Sequence, residues 1–213
     1  MRLYTYWRSS AAYRVRIALN WKGLSYEALP THFLRNGGEH RAPAFLARNP
    51  QGLIPVLDDG GVVLAQSLAI IEYLEERYPE PPLLPREAES RGRARSLALA
   101  IACDIHPLNN LRVLQYLKSA LAQPQEQVDA WYRHWIATGF AALEREALRH
   151  GDRRHLVGSQ VSIADVCLVP QVYNAKRFNV DLRPYPTLAA INEGLIAQPA
   201  FQAARPEAQP DAE

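Results

Sequence analysis

Proline is concentrated in one short stretch near the middle of the chain. The segment PEPPLLP, residues 79–85, has proline at four of its seven positions. Proline lacks the backbone N–H and fixes φ, so neither a helix nor a central strand can continue through this stretch. Proline-rich segments act as semi-rigid spacers. We therefore predict two domains, residues 1–80 and 88–213, joined by a linker at residues 81–87.

The half before the linker alternates short β-like runs with helical patterns. RLYTYW and YEALPT are typical of strands, and between them AAYRVRIALNWKG places Val15, Ala18 and Leu19 on one helical face. IPVLDD and VVLA flank the hairpin-turn sequence DGG, and QSLAIIEYLEERYP is an amphipathic helix pattern. The order β-α-β-α-β-β-α predicts an α+β domain, a small mixed sheet with helices packed on it.

The half after the linker is helical almost throughout, which predicts an all-α domain. Residues 87–118 form one long helical pattern that Pro107 should interrupt. A second helix is expected from Pro124, which suits a first turn, to Gly151, which ends it. A third begins at Ser162 with Asp165 three residues later, the spacing of a capping box.

The last ten residues, ARPEAQPDAE, are polar and contain two prolines. Chain ends of this composition are poorly ordered unless other contacts hold them. We therefore predict an extended or disordered arm.

Composition narrows the classes of partner. The 213 residues are 48% hydrophobic, enough for a core, and carry a formal net charge of only +2. No basic run interleaved with aromatics is present, which argues against nucleic-acid binding. No apolar run approaches the roughly 20 residues that a membrane span needs, and the start of the chain lacks the apolar region of a signal peptide. We expect a cytoplasmic protein that binds neither membrane nor nucleic acid.

Cysteine and histidine give no sign of a disulfide or a metal site. Cys103 and Cys167 lie far apart, each in an apolar sequence, which favours two buried free thiols. The six histidines lack metal-ligand spacing, so we expect no metal.

The sequence WRSSAAYRVRIAL, residues 7–19, places two serines at a predicted helix start. A serine nucleophile needs a nearby base, and no histidine, carboxylate or cysteine lies beside these two. Serine is also a preferred N-cap residue. The serines are therefore either caps alone or hydrogen-bond donors to a nucleophile that another molecule brings.

Several segments together resemble one enzyme family. RSSAAYRVRIAL is similar to the signature S-S-C-x-W-R-V-R-I-A-L of zeta-class glutathione transferases. NPQGLIPVL resembles the glutathione-site segment of that class, and QSLAIIEYLEERYP resembles its third helix. DIHPLNNLRVL and IADVCLVPQVYNAKRFNVDLRPYPT resemble the second half of maleylacetoacetate isomerases and the related bacterial maleylpyruvate isomerases. The resemblance covers residues 3 to 205 and implies a thioredoxin-like sheet domain followed by an all-helical domain.

The resemblance implies a glutathione-dependent cis–trans isomerase of aromatic amino acid catabolism, acting in tyrosine degradation as a homodimer. The thiolate of reduced glutathione would add to the cis double bond of maleylacetoacetate or maleylpyruvate. Rotation and elimination would then leave the fumaryl product. The alternatives are conjugation of glutathione to small electrophiles, dehalogenation of α-halo acids, and a non-catalytic binding module on the same scaffold.

The resemblance also implies a catalytic set at the first helix. Ser9 matches the first motif serine, which donates to the glutathione sulfur, and Ser10 matches the second, a reserve donor. Arg8 precedes them and is expected to face a substrate carboxylate, because a guanidinium fork suits carboxylates. The alternative for either serine is a capping role alone.

The glutathione site follows in the same way from matched segments. Ile54 precedes Pro55 where the fold keeps a cis-proline, and its backbone would pair with the cysteinyl part of glutathione. Gln66 and Ser67, at the start of a helix, would bind the γ-glutamyl carboxylate. Gln51 and His40 are candidates for the glycyl end, with ordinary surface roles as the alternative.

Three residues of the helical half complete the implied substrate contacts. Arg177 matches a family arginine, Arg112 is a further carboxylate candidate, and Asn109 could add an amide contact. Two positions depart from the motif, since Ala11 replaces its cysteine and Tyr13 its tryptophan. Ala11 argues against a glutaredoxin-like reductase, because no cysteine is left there to form a mixed disulfide.

Overall fold

The computed structural model describes residues 1–213, which group into two compact units. One unit contains Met1–Leu83 together with Ala197–Glu213, and the other contains Leu84–Ile196. The sequence prediction assigned residues 197–213 to the helical half, whereas their contacts are with the first unit. No helix in the structure has the length and apolar character needed to cross a lipid bilayer.

A mixed four-stranded sheet forms the centre of the first unit. Its strands β1 (Arg2–Thr5), β2 (Glu27–Pro30), β3 (Val56–Asp59) and β4 (Val62–Ala65) lie in the order β2-β1-β3-β4. Strand β1 runs parallel to β2 and antiparallel to β3, and β3 pairs antiparallel with β4. The last two strands are joined at Gly60 and Gly61, whose φ values of 62° and 101° a two-residue hairpin turn favours. The predicted α+β architecture is confirmed.

Helix α1 (Ser10–Trp21) packs on α3 (Ser67–Arg77), and the face that its sequence predicts to be buried lies in the core. Val15, Ala18 and Leu19 are fully buried, and burying a side chain the size of Val or Leu stabilises the fold by about 1.5–3 kcal/mol. Gly23, with φ of 65°, follows the helix end as the predicted stop. The helices that precede the linker are α1 (Ser10–Trp21), α2 (Pro43–Leu46) and α3 (Ser67–Arg77).

The C-terminal residues are ordered and pack against α1, so the predicted extended or disordered arm is wrong. Helix α9, Pro199–Ala204, contacts α1 and leads into a single 3-10 turn. Pro206 and Gln209 are buried, and the Gln209 amide donates to the carbonyls of Ala203 (2.9 Å) and Arg205 (3.0 Å). The polar composition of the tail did not predict this order. The order depends on a few groups of the tail that face the interior.

The second unit consists of helices, as predicted. The long pattern at residues 87–118 is divided by a π-helical turn, Ala100–Ile105, and a 3-10 turn, Pro107–Asn109. Gly139 lies where an added Cβ would meet the Ile105 side chain at 2.2 Å, so a glycine lets the neighbouring helix approach the π-helical turn. The helices are α4 (Ala88–Leu99), α5 (Leu111–Ser119), α6 (Gln125–His150), α7 (Ile163–Arg177) and α8 (Pro186–Ile196).

Helix α7 begins with the predicted capping box. The buried Asp165 carboxylate accepts from the amide and hydroxyl of Ser162, each at 2.8 Å, and from the Leu156 amide at 2.8 Å. The bond from the Ser162 amide satisfies a donor at the helix start that the helix itself leaves unpaired, and the bond from Leu156 ties the preceding loop to it.

Of the two cysteines, Cys167 is buried as predicted but Cys103 is exposed. Cys103 lies in the π-helical turn. An inserted residue there rotates the following side chains by about 100° relative to a continuous α-helix. The prediction that both thiols are buried is therefore wrong for Cys103.

Candidate active site

The sheet register brings four separate segments to one edge of the first unit. Tyr4 of β1 pairs with Val56 of β3, which pairs with Ala65 of β4. Thr5 pairs with Pro30 at the end of β2. The same edge therefore holds the start of α1, the residues before β3, the start of α3 and the loop after β2.

At the start of α1, Ser9 is the N-cap. Its Oγ accepts from the Ala12 amide at 3.2 Å, and its backbone φ of −69° and ψ of 114° are those of a cap residue. A hydroxyl that accepts one bond still has its own hydrogen to donate. Capping and donation to a ligand are therefore compatible at Ser9. Ser10 is the first helical residue and is buried.

Arg8, beside the cap, is only partly exposed and is held by two aromatic neighbours. Its guanidinium lies 4.7 Å from the Trp7 ring centroid, and its Nη2 donates to the Tyr6 hydroxyl at 3.3 Å. A cation over an aromatic face is attracted by the ring. Trp7 and Tyr6 thus restrict the directions in which Arg8 can point.

The two arginines deeper in α1 have structural contacts on different sides. Arg14 is buried and donates through Nη1 to the Ser67 hydroxyl at 3.3 Å. Arg16 is fully buried and donates to the Thr5 hydroxyl (3.0 Å) and the Trp7 carbonyl (2.9 Å). Burial lowers the pKa of Arg16 to about 10, so it stays charged at neutral pH.

The segments beside α1 contain the residues predicted to bind glutathione, Ile54, Pro55, Gln66, Ser67 and Gln51. The Ile54–Pro55 peptide is cis, as expected, and the Ile54 amide and carbonyl enter no hydrogen bond within the fold. Gln66 caps α3 with φ of 71°, a left-handed conformation that a non-glycine residue rarely adopts. Its side chain donates to Gln51 at 2.8 Å, so the structure brings these two glutamines together.

His40 lies in the loop after β2 and is buried. Its ring packs edge-on against Phe33 at 4.8 Å, and its Nδ1 has no hydrogen-bond partner. Burial first, and the charge of Arg41 second, lower the pKa of His40. This lowered pKa favours the neutral imidazole at neutral pH. No hydrogen bond joins His40 to Gln51 or Gln66.

In the second unit, Asn109 and Arg112 lie on consecutive elements. Asn109 ends the 3-10 turn, which the Trp131 indole holds by donating to the Leu108 carbonyl at 2.8 Å. The Asn109 side chain is buried, yet neither its nitrogen nor its oxygen has a partner. Buried amides are normally satisfied, so this side chain is available to a ligand or a water. Arg112 is exposed in the first turn of α5.

Arg177 is the last residue of α7 and is exposed. Its guanidinium lies 5.3 Å from the Phe178 ring, which stacks on Tyr132 at 3.5 Å. Arg177 therefore lies beside an aromatic stack, and its guanidinium N–H groups are on the surface.

The sequence analysis missed two contacts at the α1 start. Tyr6 holds Arg8 through its hydroxyl, and Asp211 accepts from the Trp7 amide although 204 positions separate them. Strand alternation alone could have placed Tyr6 near this edge of the sheet. Nothing in the polar tail marked Asp211.

This arrangement can stabilise an anion without a general base or a metal. Helix amides, the positive end of the helix dipole and a hydroxyl donor together favour a thiolate or carboxylate at the start of α1. The structure contains no group of three or more His, Cys, Asp or Glu side chains arranged to hold a metal ion.

Comparison with known proteins gives consistent matches along the whole chain. Residues 3–82 match the family model "Glutathione S-transferase, N-terminal domain". A probable maleylacetoacetate isomerase of Vibrio cholerae is 57% identical over 210 residues, covering 99% of this chain and 97% of that protein. A holo structure of a maleylpyruvate isomerase, described as a bacterial zeta-class glutathione transferase, is 47% identical with a TM-score of 0.96 and full coverage of both chains. A maleylacetoacetate isomerase of Methylobacterium extorquens AM1, solved with bound malonate and glutathione, is 42% identical with a TM-score of 0.95, again with full coverage of both chains.

Proposed function

The chain belongs to the zeta class of glutathione transferases, within the family of maleylacetoacetate and maleylpyruvate isomerases, and we propose that it is a glutathione-dependent cis–trans isomerase of a maleyl keto acid. The observation that carries the proposal is the start of α1, where the Ser9 hydroxyl, the N-terminal turn of the helix and the neighbouring Arg8 guanidinium come together without a general base. Such a site favours a sulfur anion that a second molecule supplies.

Glutathione, when bound, supplies a thiolate that adds to the cis double bond, permits rotation about the resulting single bond, and is then eliminated. Ser9 donates a hydrogen bond to the sulfur and so favours its ionised form, together with the amides of the first turn of α1. Because these groups are fixed before the reaction, they stabilise charge without reorganising. Ser10 is the reserve donor.

The residues at the sheet edge fit the rest of the tripeptide. The unengaged amide and carbonyl of Ile54, next to Pro55, suit β-type pairing with the cysteinyl residue. The start of α3, with Gln66 and Ser67, suits the γ-glutamyl carboxylate, because helix N-termini bind anions. The Gln51 side chain, already bonded to Gln66, and the neutral His40 are assigned to the glycyl end.

The keto acid has two carboxylates, so the site needs cationic contacts. Arg8, Arg177 and Arg112 are assigned to these carboxylates from the family resemblance. Asn109 supplies an amide contact, supported by its buried side chain without a partner. Arginine suits this task because its planar fork binds a carboxylate through two parallel bonds.

Ala11 limits the chemistry of the site. Ala11 is the second residue of α1 and has no thiol, so this helix start supplies no sulfur of its own and the reacting sulfur belongs to glutathione. This favours isomerisation over disulfide chemistry. A two-fold dimer and a cytoplasmic location are proposed from family membership.

The test follows the isomerisation of maleylacetoacetate and of maleylpyruvate in parallel, each with and without reduced glutathione. Glutathione-dependent formation of the fumaryl product from either compound supports the proposal, and the ratio of the two kcat/KM values assigns the preferred substrate. No glutathione-dependent turnover of either compound would refute it. An assay with a chloroacetic acid under the same conditions measures the dehalogenase alternative.

A further inference from the structure

A carboxylate from the far end of the chain contacts the backbone just before the Ser9 cap. Oδ2 of Asp211 accepts the Trp7 amide hydrogen bond at 3.0 Å. Trp7 is buried and lies two residues before Ser9. The contact therefore acts on the short connection that leads from β1 into the catalytic helix.

The Trp7 carbonyl accepts a hydrogen bond from a buried arginine. Arg16 donates to the Trp7 carbonyl at 2.9 Å and to the Ala204 carbonyl at 3.0 Å. Trp7 is thus bonded through its carbonyl to a buried arginine and through its amide to Asp211. Since Arg16 also holds Ala204, one guanidinium fixes both the catalytic connection and the base of the tail.

The tail is itself anchored, so Asp211 presents a fixed acceptor. The Gln209 amide donates to the Ala203 and Arg205 carbonyls at the end of α9. Beyond Asp211, the Glu213 carboxylate pairs with Arg35 and lies 3.6 Å from the His32 ring nitrogen, both in the loop after β2. The tail therefore connects the α1 start with the loop that carries His40.

We propose that Asp211 is a positioning residue for Ser9 and Arg8. It fixes the Trp7 peptide, and through it the direction of the Ser9 hydroxyl and of the Arg8 guanidinium. The Trp7 ring lies under Arg8 at 4.7 Å. The Ser9 amide donates at 3.0 Å to the Tyr6 carbonyl oxygen, which belongs to the same peptide group as the Trp7 amide. A shift of this peptide therefore moves both side chains.

The proposal rests on the proposed function, in which Ser9 stabilises the glutathione thiolate. Hydrogen-bond donation to an anion depends on distance and angle, and a misplacement of about 1 Å in a catalytic group can cost about 100-fold in rate. Loss of the Asp211 acceptor also leaves the buried Trp7 amide without a partner, which the connection can relieve only by moving.

Three variants test the idea: Asp211→Ala, Asp211→Asn and, as a control, Asp181→Ala. Asparagine keeps a side-chain oxygen that can accept from the Trp7 amide, whereas alanine does not. Asp181 is an exposed carboxylate that pairs only with Arg183. Each variant is saturated with reduced glutathione, and the pKa of the bound thiol is titrated by the ultraviolet absorbance of the thiolate. Turnover of the keto acid and hydrogen exchange at the Trp7 amide are measured on the same samples.

Asp211→Ala is expected to raise the bound-thiol pKa, to lower kcat at least about tenfold and to speed exchange at Trp7. Asp211→Asn should recover most of all three quantities, and Asp181→Ala should match the wild type. An unchanged thiol pKa in Asp211→Ala would overturn the proposal. So would an asparagine variant as defective as the alanine variant. If Asp211→Ala does not fold, rapid Trp7 exchange in folded Asp211→Asn overturns it as well.

The thiol titration separates this proposal from the proposed function, because it needs glutathione alone. Absence of isomerase turnover in the wild type would refute the isomerase, while the effect of Asp211 on the bound thiol could still be measured.

Discussion

The buried guanidinium of Arg14 in α1 donates to the hydroxyl of Ser67, the first residue of α3, at 3.3 Å. This bond joins the second turn of α1 to the start of α3. The proposed function assigns the thiolate of glutathione to the start of α1 and its γ-glutamyl carboxylate to the start of α3. A residue of one helix thereby orients the hydroxyl at the anion-binding end of the other.

Ser67→Ala should weaken glutathione binding and leave the chemical step nearly intact. A hydrogen bond to a charged group contributes about 1.5–3 kcal/mol, so we expect the Kd for glutathione to rise about tenfold or more. Because this contact is the same in ground and transition states, kcat at saturating glutathione should change little. Calorimetric titration with glutathione gives the Kd, and Ser119→Ala, at the exposed end of α5, is the control. Equal affinity in Ser67→Ala and wild type would contradict the assignment.

Ser9→Ala should lower kcat at least about tenfold, because a donor to a stabilised anion is lost. The same change removes an N-cap and should cost about 1 kcal/mol of stability. Ser9→Thr separates the two effects, since threonine caps and keeps a hydroxyl. We expect Ser9→Thr to retain substantially more activity than Ser9→Ala at equal glutathione saturation. Near-normal turnover in a folded Ser9→Ala would reduce Ser9 to a cap.

Arg177→Ala should raise the KM for the keto acid and leave the Kd for glutathione unchanged. The guanidinium is exposed beside the Phe178 ring, so its removal should affect binding more than folding. Arg183→Ala removes another exposed arginine, one that pairs with Asp181, and serves as the matched control. Weaker glutathione binding in Arg177→Ala, or an unchanged KM for the keto acid, would show that Arg177 is not a substrate contact.

Protonation of the Asp58 carboxylate should make the first unit less stable at low pH. The Gly61 amide first, and Arg2 second, hold the pKa of Asp58 below its ordinary value. A carboxylate with a lowered folded-state pKa stabilises the fold above the ordinary value of about 4, and this contribution is lost as pH falls through the lowered value. Urea unfolding should therefore show Asp58→Asn less stable than wild type at neutral pH. The gap should close at low pH, and a gap that widened there would contradict this account.

Local sequence signals predicted those features that depend on neighbouring residues. The DGG hairpin, the buried face of Val15, Ala18 and Leu19, and the Ser162–Asp165 capping box are all confirmed. Each depends on residues within a few positions, where turn chemistry and helical periodicity act directly.

Features set by distant residues were not predictable in the same way. Asp211 meets Trp7 across 204 positions, and no local pattern marks such a pair. Gln66 connects the end of β4 to the start of α3 with a positive φ. A glutamine in the sequence does not predict that conformation. The exposure of Cys103 follows from a π-helical turn that interrupts the periodicity of the helix. The family resemblance implied the roles of the site residues. The structure shows which residues contact them.

The most direct test of the central claim compares reduced glutathione with S-methylglutathione in the isomerisation of maleylacetoacetate and maleylpyruvate. The methylated tripeptide keeps the groups assigned to Ile54, Gln66 and Ser67 but cannot form a thiolate. The account predicts turnover with reduced glutathione and, with S-methylglutathione, binding without turnover. Equal turnover with both tripeptides, or none with reduced glutathione, would contradict it.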